Sequence, residues 1–168
     1  MSVSLPTTPG GPFIGGFRIP IRHLKQKHDN DCWATCLAMI FRWRGVAITS
    51  DEIFTRAPEF IPGGYQYGQQ ATNAEANRVA KKLTDGAISF SPIDNPKSKN
   101  ADYWMQHLNK YKPVLTSINN HARVLVGYNG AGQLLILDPD PRKDSNQQPE
   151  IIGIGVMQRL LMSAWVMD

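Results

Sequence analysis

Residues 26–35 read Gln26-Lys27-His28-Asp29-Asn30-Asp31-Cys32-Trp33-Ala34-Thr35 and continue into Cys36-Leu37-Ala38-Met39-Ile40-Phe41. The second part of this stretch predicts a helix over Asp31–Arg44. Its residues are good or tolerable helix formers, and its apolar side chains nearly encircle the axis, as in a helix buried within a domain. Asn30 and Asp31 are expected to offer capping oxygens at its start, and Gly45 to stop it. Cys32 then falls in the first turn. A helix N-terminus carries partial positive charge and favours a thiolate, the attacking form of a cysteine. Backbone N–H groups of the same turn can donate to an oxyanion. Gln26, six residues earlier, can bring a side-chain amide back over the helix start as a further donor, although a loop glutamine is ordinarily a surface residue.

Working outward, Thr49 with Glu52 and Thr72 with Glu75 have the spacing of capping boxes, predicting helices after each threonine, the second over about 73–84. Asn100 is a cap for a helix over Ala101–Lys110, with Pro113 beyond it. Residues 58–71, with prolines at 58 and 62 and glycines at 63, 64 and 68, read as loop. After Pro113 the pattern turns to β-prone runs at Val114–Ile118, Arg123–Tyr128 and Leu134–Leu137, separated by turn signals at Asn119-Asn120 and Asn129–Gly132. Glu150–Val156 reads as a further strand, and 157–168 fits helix or strand equally. Helices followed by antiparallel strands give an α+β fold class. Residues 1–18, rich in Gly, Pro, Ser and Thr, read as a flexible tail or linker, with one domain over 19–168.

His121 opens the strand that follows the Asn119-Asn120 turn. Of the four histidines, His107 falls inside a helix, and His23 and His28 are close in sequence to Cys32. His121 is therefore the best-placed base, although a lone histidine at a strand start is more often structural. A hairpin through Asn129–Gly132 would return Asp138 to the side of His121, where a carboxylate fixes the imidazole tautomer and stabilises the imidazolium. An aspartate ahead of a proline is also a common turn residue, and Asp140 is the alternative position. Trp33 reads as core or cleft wall, and Cys36, one turn past Cys32, as a small buried apolar residue. A zinc site from His28, Cys32 and Cys36 lacks a fourth ligand; no metal or cofactor is expected.

Gln26-x5-Cys32-Trp33-Ala34, then His121-x-x-Val124-x-Val126-Gly127-Tyr128, then Asp138-Pro139 resembles the papain-like cysteine peptidases. The likeness is to their compact bacterial branch, which includes bacteriocin-leader-processing peptidases and plant-pathogen effector proteases. The resemblance spans about residues 20–140. It implies an N-terminal helical lobe whose central helix packs on a small antiparallel sheet. It implies acyl-thioester chemistry on Cys32, with His121 as base, Asp138 orienting it and Gln26 at the oxyanion. Many papain-like enzymes have Asn where this chain has Asp138, and Asp is usual in the compact branch. The same residues also serve deamidases and transglutaminase-type acyl transferases, and leader-peptide processing is another outcome.

The remaining features bound the role. The 168 residues carry a formal charge of +4, with 42% hydrophobic and 19% charged residues. The basic residues are scattered, without the concentrated patch of a nucleic-acid-binding protein. No apolar run approaches the ~20 residues of a membrane span, and the first 16 residues lack the pattern of a secretory signal peptide. The expectation is a bacterial toxin or effector protease that takes a protein or peptide substrate in a reducing cytosol, delivered there as a secreted effector. Its expected partner is a cognate inhibitor (immunity) protein over the cleft, with neither nucleic acid nor membrane involved.

Overall fold

The computed structural model describes residues 15–60, 71–142 and 149–168. The first part of the expected tail and most of the loop expected over 58–71 lie outside these residues. In chain order, the strands are β1 (Phe17–Arg18), β2 (Phe90–Pro92), β3 (Val114–Ile118), β4 (His121–Tyr128), β5 (Leu134–Leu137), β6 (Glu150–Ile152) and β7 (Leu161–Met167). The helices are α1 (Cys32–Trp43), α2 (Ser50–Arg56), α3 (Asn73–Leu83), α4 (Ala101–Asn109) and α5 (Ile154–Leu160). This is the expected α+β arrangement. One antiparallel sheet runs β2-β7-β3-β4-β5-β6, and β1 pairs with the far end of β4.

Helix α1 is the axis of the helical lobe. Every residue from Trp33 to Phe41 is buried, and the helix packs against α2, α3 and β4. The all-round apolar surface in the sequence is thus used on every side. Both capping boxes form as spaced, with Thr49 and Thr72 accepting from the backbone of Glu52 and Glu75, and Asn100 caps α4. At α1 the expectation needs correction. Asp31 is the N-cap residue, but its side chain makes no capping bond. Asn30 takes a left-handed conformation (φ 67°) and Asp31 a near-helical one (φ −83°, ψ 5°), unlike the extended backbone from which a cap side chain reaches forward.

Strand β4 is the centre of the sheet. Successive side chains point to opposite faces, and all five from Val124 to Tyr128 are buried, so both faces are covered. Its near half pairs with β3 through a two-residue turn in which Asn119 and Asn120 both have positive φ (53° and 61°), as tight hairpins need. Its far half pairs with β5 and β1.

Two expectations fail here. Phe17 and Arg18, assigned to the tail, form β1; Phe17 is buried and stacks edge-on with Tyr111. Residues 150–156 are not one strand: β6 ends at Ile152, and α5 begins at Ile154. The β-branched run favours a strand locally, but Met157 is drawn into the core and the segment packs on the 96–98 turn.

Strand β1 approaches β4 so closely that a Cβ on Gly127 would strike the Phe17 carbonyl. Gly127→Ala is therefore expected to destabilise the fold by about 1–3 kcal/mol, the usual cost of overpacking. Urea denaturation will measure it, and an unchanged midpoint would show that β1 is not docked as described.

Candidate active site

The first residue of α1 and the first residue of β4 meet across a cleft. Cys32 is half-buried, and its Sγ accepts from the backbone N–H of Ala122 at 3.4 Å. The His121 imidazole is hydrogen-bonded to Asp138, and it lies near enough to Cys32 for the thiol to act on its titration. Its Nε2 lies 2.5 Å from Asp138 Oδ1, which leaves Nδ1 as the ring nitrogen for the thiol. The arrangement brings the three predicted residues together.

Asp138 reaches His121 because of a fault in the β4–β5 ladder. Near the turn, Tyr128 faces Leu134 and Gly127 faces Leu135; past a bulge, Leu125 faces Ile136 and Val124 faces Leu137. Residue Val126 is the extra one. Continuing this register puts Asp138 opposite Arg123, on the face that also carries His121. Without the bulge, Asp138 would stand opposite Val124 and point to the other face, since a one-residue slip inverts every side chain. The bulged Val126 offers its carbonyl to the N–H of Ile19 at 2.8 Å.

The Asp138 side chain is about 1% exposed. Its Oδ1 accepts from His121 and, at 2.9 Å, from the Asp140 N–H; its Oδ2 accepts from Arg123 Nε at 3.2 Å. Burial pushes the carboxyl upward, but the bonds from His121 and Asp140 and the charges of His121 and Arg123 outweigh it and hold Asp138 below the usual carboxylate range. The His121 imidazolium is favoured in turn. Its bond to Asp138 first, and its bond to Cys32 second, raise its pKa to about 9 against the opposing effect of burial. At neutral pH the ring is therefore protonated, and this form is lost as pH rises through about 9.

Asp140 is not the partner of His121. Its carboxylate is engaged by Arg142 Nη2 at 2.6 Å, and this pairing holds it far below the carboxylate range. Gln26 lines a cavity of about 560 Å³ with Cys32 and His121. Its amide nitrogen donates to the His28 carbonyl at 3.1 Å, which leaves the second N–H of a primary amide for another acceptor. Its backbone N–H binds the Pro139 carbonyl at 2.8 Å, tying the loop before α1 to the end of β5.

A second cavity of about 470 Å³ opens on the other side of Cys32, walled by Trp33, Met162 and Trp165 and by the start of α3 at Thr72 and Asn73. Trp33 serves as both core and wall, being 2% exposed and edge-on to Phe54. The two cavities share Cys32 and Asn120, so they form the two arms of one groove. His28 lies with Asp31 and Asp51, their ligand atoms within 4.8 Å of one another, rather than in a set with Cys32 and Cys36.

Two neighbours of Asp138 were not signalled by the sequence. Arg123 is one. His23 is the other, buried, with Nε2 2.5 Å from the Asp138 carbonyl oxygen. In the alternating pattern of β4, Arg123 has the appearance of a solvent-facing residue, and nothing local links His23 to a residue 115 positions away.

The two thiols are sharply distinguished. Cys36 is fully enclosed, and burial first, then the charges of Cys32 and Asp138, push its thiol well above the usual range. Iodoacetamide at pH 7 is expected to label Cys32 and spare Cys36. Peptide mapping reads the site of attachment, and preferential labelling of Cys36 would contradict this geometry.

Comparison with known proteins gives the family and the fold. The family described as "Papain-like cysteine protease AvrRpt2" matches residues 15–151. No curated protein matches the sequence significantly. Among solved structures, a protein described as a C39-like peptidase from Bacillus anthracis has a TM-score of 0.63 at 14% identity, over 89% of this chain and 95% of that one. A double glycine motif protease from an AMS/PCAT transporter, in complex with the leader peptide, has a TM-score of 0.59 at 16% identity, over 89% and 91%. The peptidase domain of Streptococcus ComA, a bi-functional ABC transporter involved in a quorum sensing pathway, has a TM-score of 0.58 at 18% identity, over 87% and 96%. The structural likenesses establish a shared fold, and with most of its length matched by the family, this chain belongs to the papain-like cysteine proteases of the AvrRpt2 type.

Proposed function

We propose that this cysteine peptidase cuts a peptide bond through an acyl-thioester on Cys32, with His121 moving the proton, Asp138 orienting His121, and Gln26 donating to the oxyanion. The observation that carries this reading is the His121–Asp138 hydrogen bond beside Cys32, with Cys32 and His121 lining the same cavity. The Cys32 thiolate attacks the carbonyl carbon, and the oxygen becomes an anion facing the start of α1 and the Gln26 amide. The His121 imidazolium gives its proton to the departing amine as the C–N bond breaks. Water then enters, loses a proton to His121 and displaces the sulfur from the acyl carbon as thiolate, which restores the thiolate–imidazolium pair.

At the helix start, the Asp31 side chain does not claim the first-turn N–H groups as a cap. That favours their use by a substrate oxygen. The two-armed groove supports an extended peptide or protein segment as the substrate, lying on both sides of Cys32.

The finer role we assign is that of a toxin or effector module working in the reducing cytosol of a target cell. In the producing cell, an inhibitor (immunity) protein over the cleft between Cys32 and His121 would hold it in check. This rests on the resemblance to effector proteases and on a nucleophile that works only as a reduced thiol. The second reading is a dedicated processing peptidase, favoured by the structural neighbour bound to a leader peptide. Inducible cytosolic expression separates the two. Growth arrest by wild type but not by Cys32→Ala supports the effector role, and equal growth of both strains points to the narrow processing enzyme.

The supporting residues are expected to give graded losses on a substrate found by mass spectrometry of a treated lysate. Cys32→Ala abolishes cleavage, and His121→Ala is nearly as severe. Asp138→Asn retains a fraction that Asp138→Ala does not. Gln26→Ala costs about 10²–10³ in rate, the usual loss for one oxyanion donor. Full activity in Gln26→Ala would remove that residue from the scheme.

A further inference from the structure

The second oxygen of Asp138 raises a question that the Cys32–His121–Asp138 line leaves open. A carboxylate with about 1% of its side chain exposed must have its charge compensated, because an uncompensated buried ion is costly. His121 and the Asp140 N–H serve Oδ1 alone. Oδ2 accepts from Arg123 Nε. The guanidinium is itself fixed, for Nη1 donates to the Ile118 carbonyl at 2.9 Å, at the end of β3. The Arg123 carbonyl receives the Thr116 hydroxyl at 2.9 Å, which secures the same residue from the main-chain side.

We propose that Arg123 is a positioning residue for the Cys32–His121 pair, clamping Oδ2 of Asp138 so that Oδ1 stays on the imidazole and the carboxylate stays ionised. The inference rests on the assignment of Cys32 and His121 made above and adds a fourth member to it. The charge count explains the need. Thiolate, imidazolium and carboxylate sum to −1 in a largely buried site; the guanidinium brings the set to zero. The planar fork suits the task, since one arm is held by Ile118 while another reaches the carboxylate. Arg123 lies two residues after His121 on β4, so the same strand face presents base and clamp together.

The other charged groups near the ring come from separate elements. Cys32 faces it from α1. Asp29, Asp140 and Arg142 line the cavity beside it, and His23 meets the Asp138 main chain. The carboxylate of Asp140 and the guanidinium of Arg142 are paired with each other, so among the described residues Arg123 is the guanidinium that joins the His121 imidazolium on Asp138.

The sign of the effect follows. Removing Arg123 withdraws a donor and a positive charge that favour the ionised carboxylate, so Asp138 takes up a proton at a higher pH. A protonated Asp138 no longer stabilises the imidazolium, so His121 gives up its proton at lower pH, less Cys32 is held as thiolate at intermediate pH, and the thiolate builds up only at higher pH. The test needs no natural substrate. The rate at which iodoacetamide alkylates Cys32, followed from pH 4 to 10 by peptide mapping, reports the pair directly. In Arg123→Met the alkylation profile is expected to move to higher pH by about one unit, which is about tenfold slower alkylation at a fixed pH below the plateau. Arg123→Lys, which keeps the charge, is expected to recover most of the shift. A residue that only filled space would show the same profile in all three proteins.

Arg123→Gln provides a second uncharged variant should Arg123→Met not fold, with folding checked by thermal melting. In an Asp138→Asn background, Arg123→Met is expected to change the rate less than about twofold, since the clamp has no charge left to hold. Additive losses in the double variant, or a wild-type profile in the folded uncharged variants, would overturn the inference while leaving Cys32 and His121 as assigned. An unreactive Cys32 in the wild-type protein would overturn both readings.

Discussion

A buried carboxylate must be surrounded by donors, and the architecture around the cleft is organised to supply them to Asp138. Strand β4 gives His121 and Arg123, the turn after β5 gives the Asp140 N–H, and the chain ahead of α1 adds His23 on the main-chain carbonyl. The contributors come from three stretches of sequence. The carboxylate has its donors only when the two hairpin strands and the turn after them are in place, while His23 secures the main chain of the same residue. Had the same position held an apolar residue, the sheet would pack as well, and the imidazolium would lose its main support.

The register of β4 against β5 is what delivers that carboxylate. A regular hairpin from the Asn129–Gln133 turn would leave Asp138 on the wrong face; the bulge at Val126 restores the parity. The bulge is accommodated because β1 runs beside the same stretch of β4, with Ile19 bonded to the Val126 carbonyl and Phe17 lying over Gly127. The short N-terminal strand thus braces the irregularity on which the site depends.

The sequence carried the local chemistry well. Both capping boxes, the two-residue Asn119-Asn120 turn, and strands β3 and β5 to the residue follow from turn and cap preferences that act within four or five positions. Cys32, His121 and Asp138 could be placed together because a helix start and a hairpin are local objects. What was not legible depends on tertiary partners. Strand β1 is two residues long and has no alternation to detect, and β7 inserts between β2 and β3 although its segment fits helix and strand alike. The bulge leaves no mark in composition, so the correct neighbour of His121 was reached without the step that makes it a neighbour. Arg123 looked solvated because an alternating strand normally turns such residues to water; here that face is covered by the site itself.

Helix α1 meets two opposed demands. To hold the proposed nucleophile within a few tenths of an ångström, it must be rigid, and its burial from Trp33 to Phe41 provides that. A buried thiol, however, is an inert one, as Cys36 shows one turn further in. The solution is positional. Cys32 is the first helical residue, so its side chain leaves the core and enters the groove while its backbone remains part of the buried helix. The loop before it must then be pinned by something other than a helix cap. The Gln26 N–H on the Pro139 carbonyl does this, fastening the approach to the nucleophile to the same turn that carries Asp138.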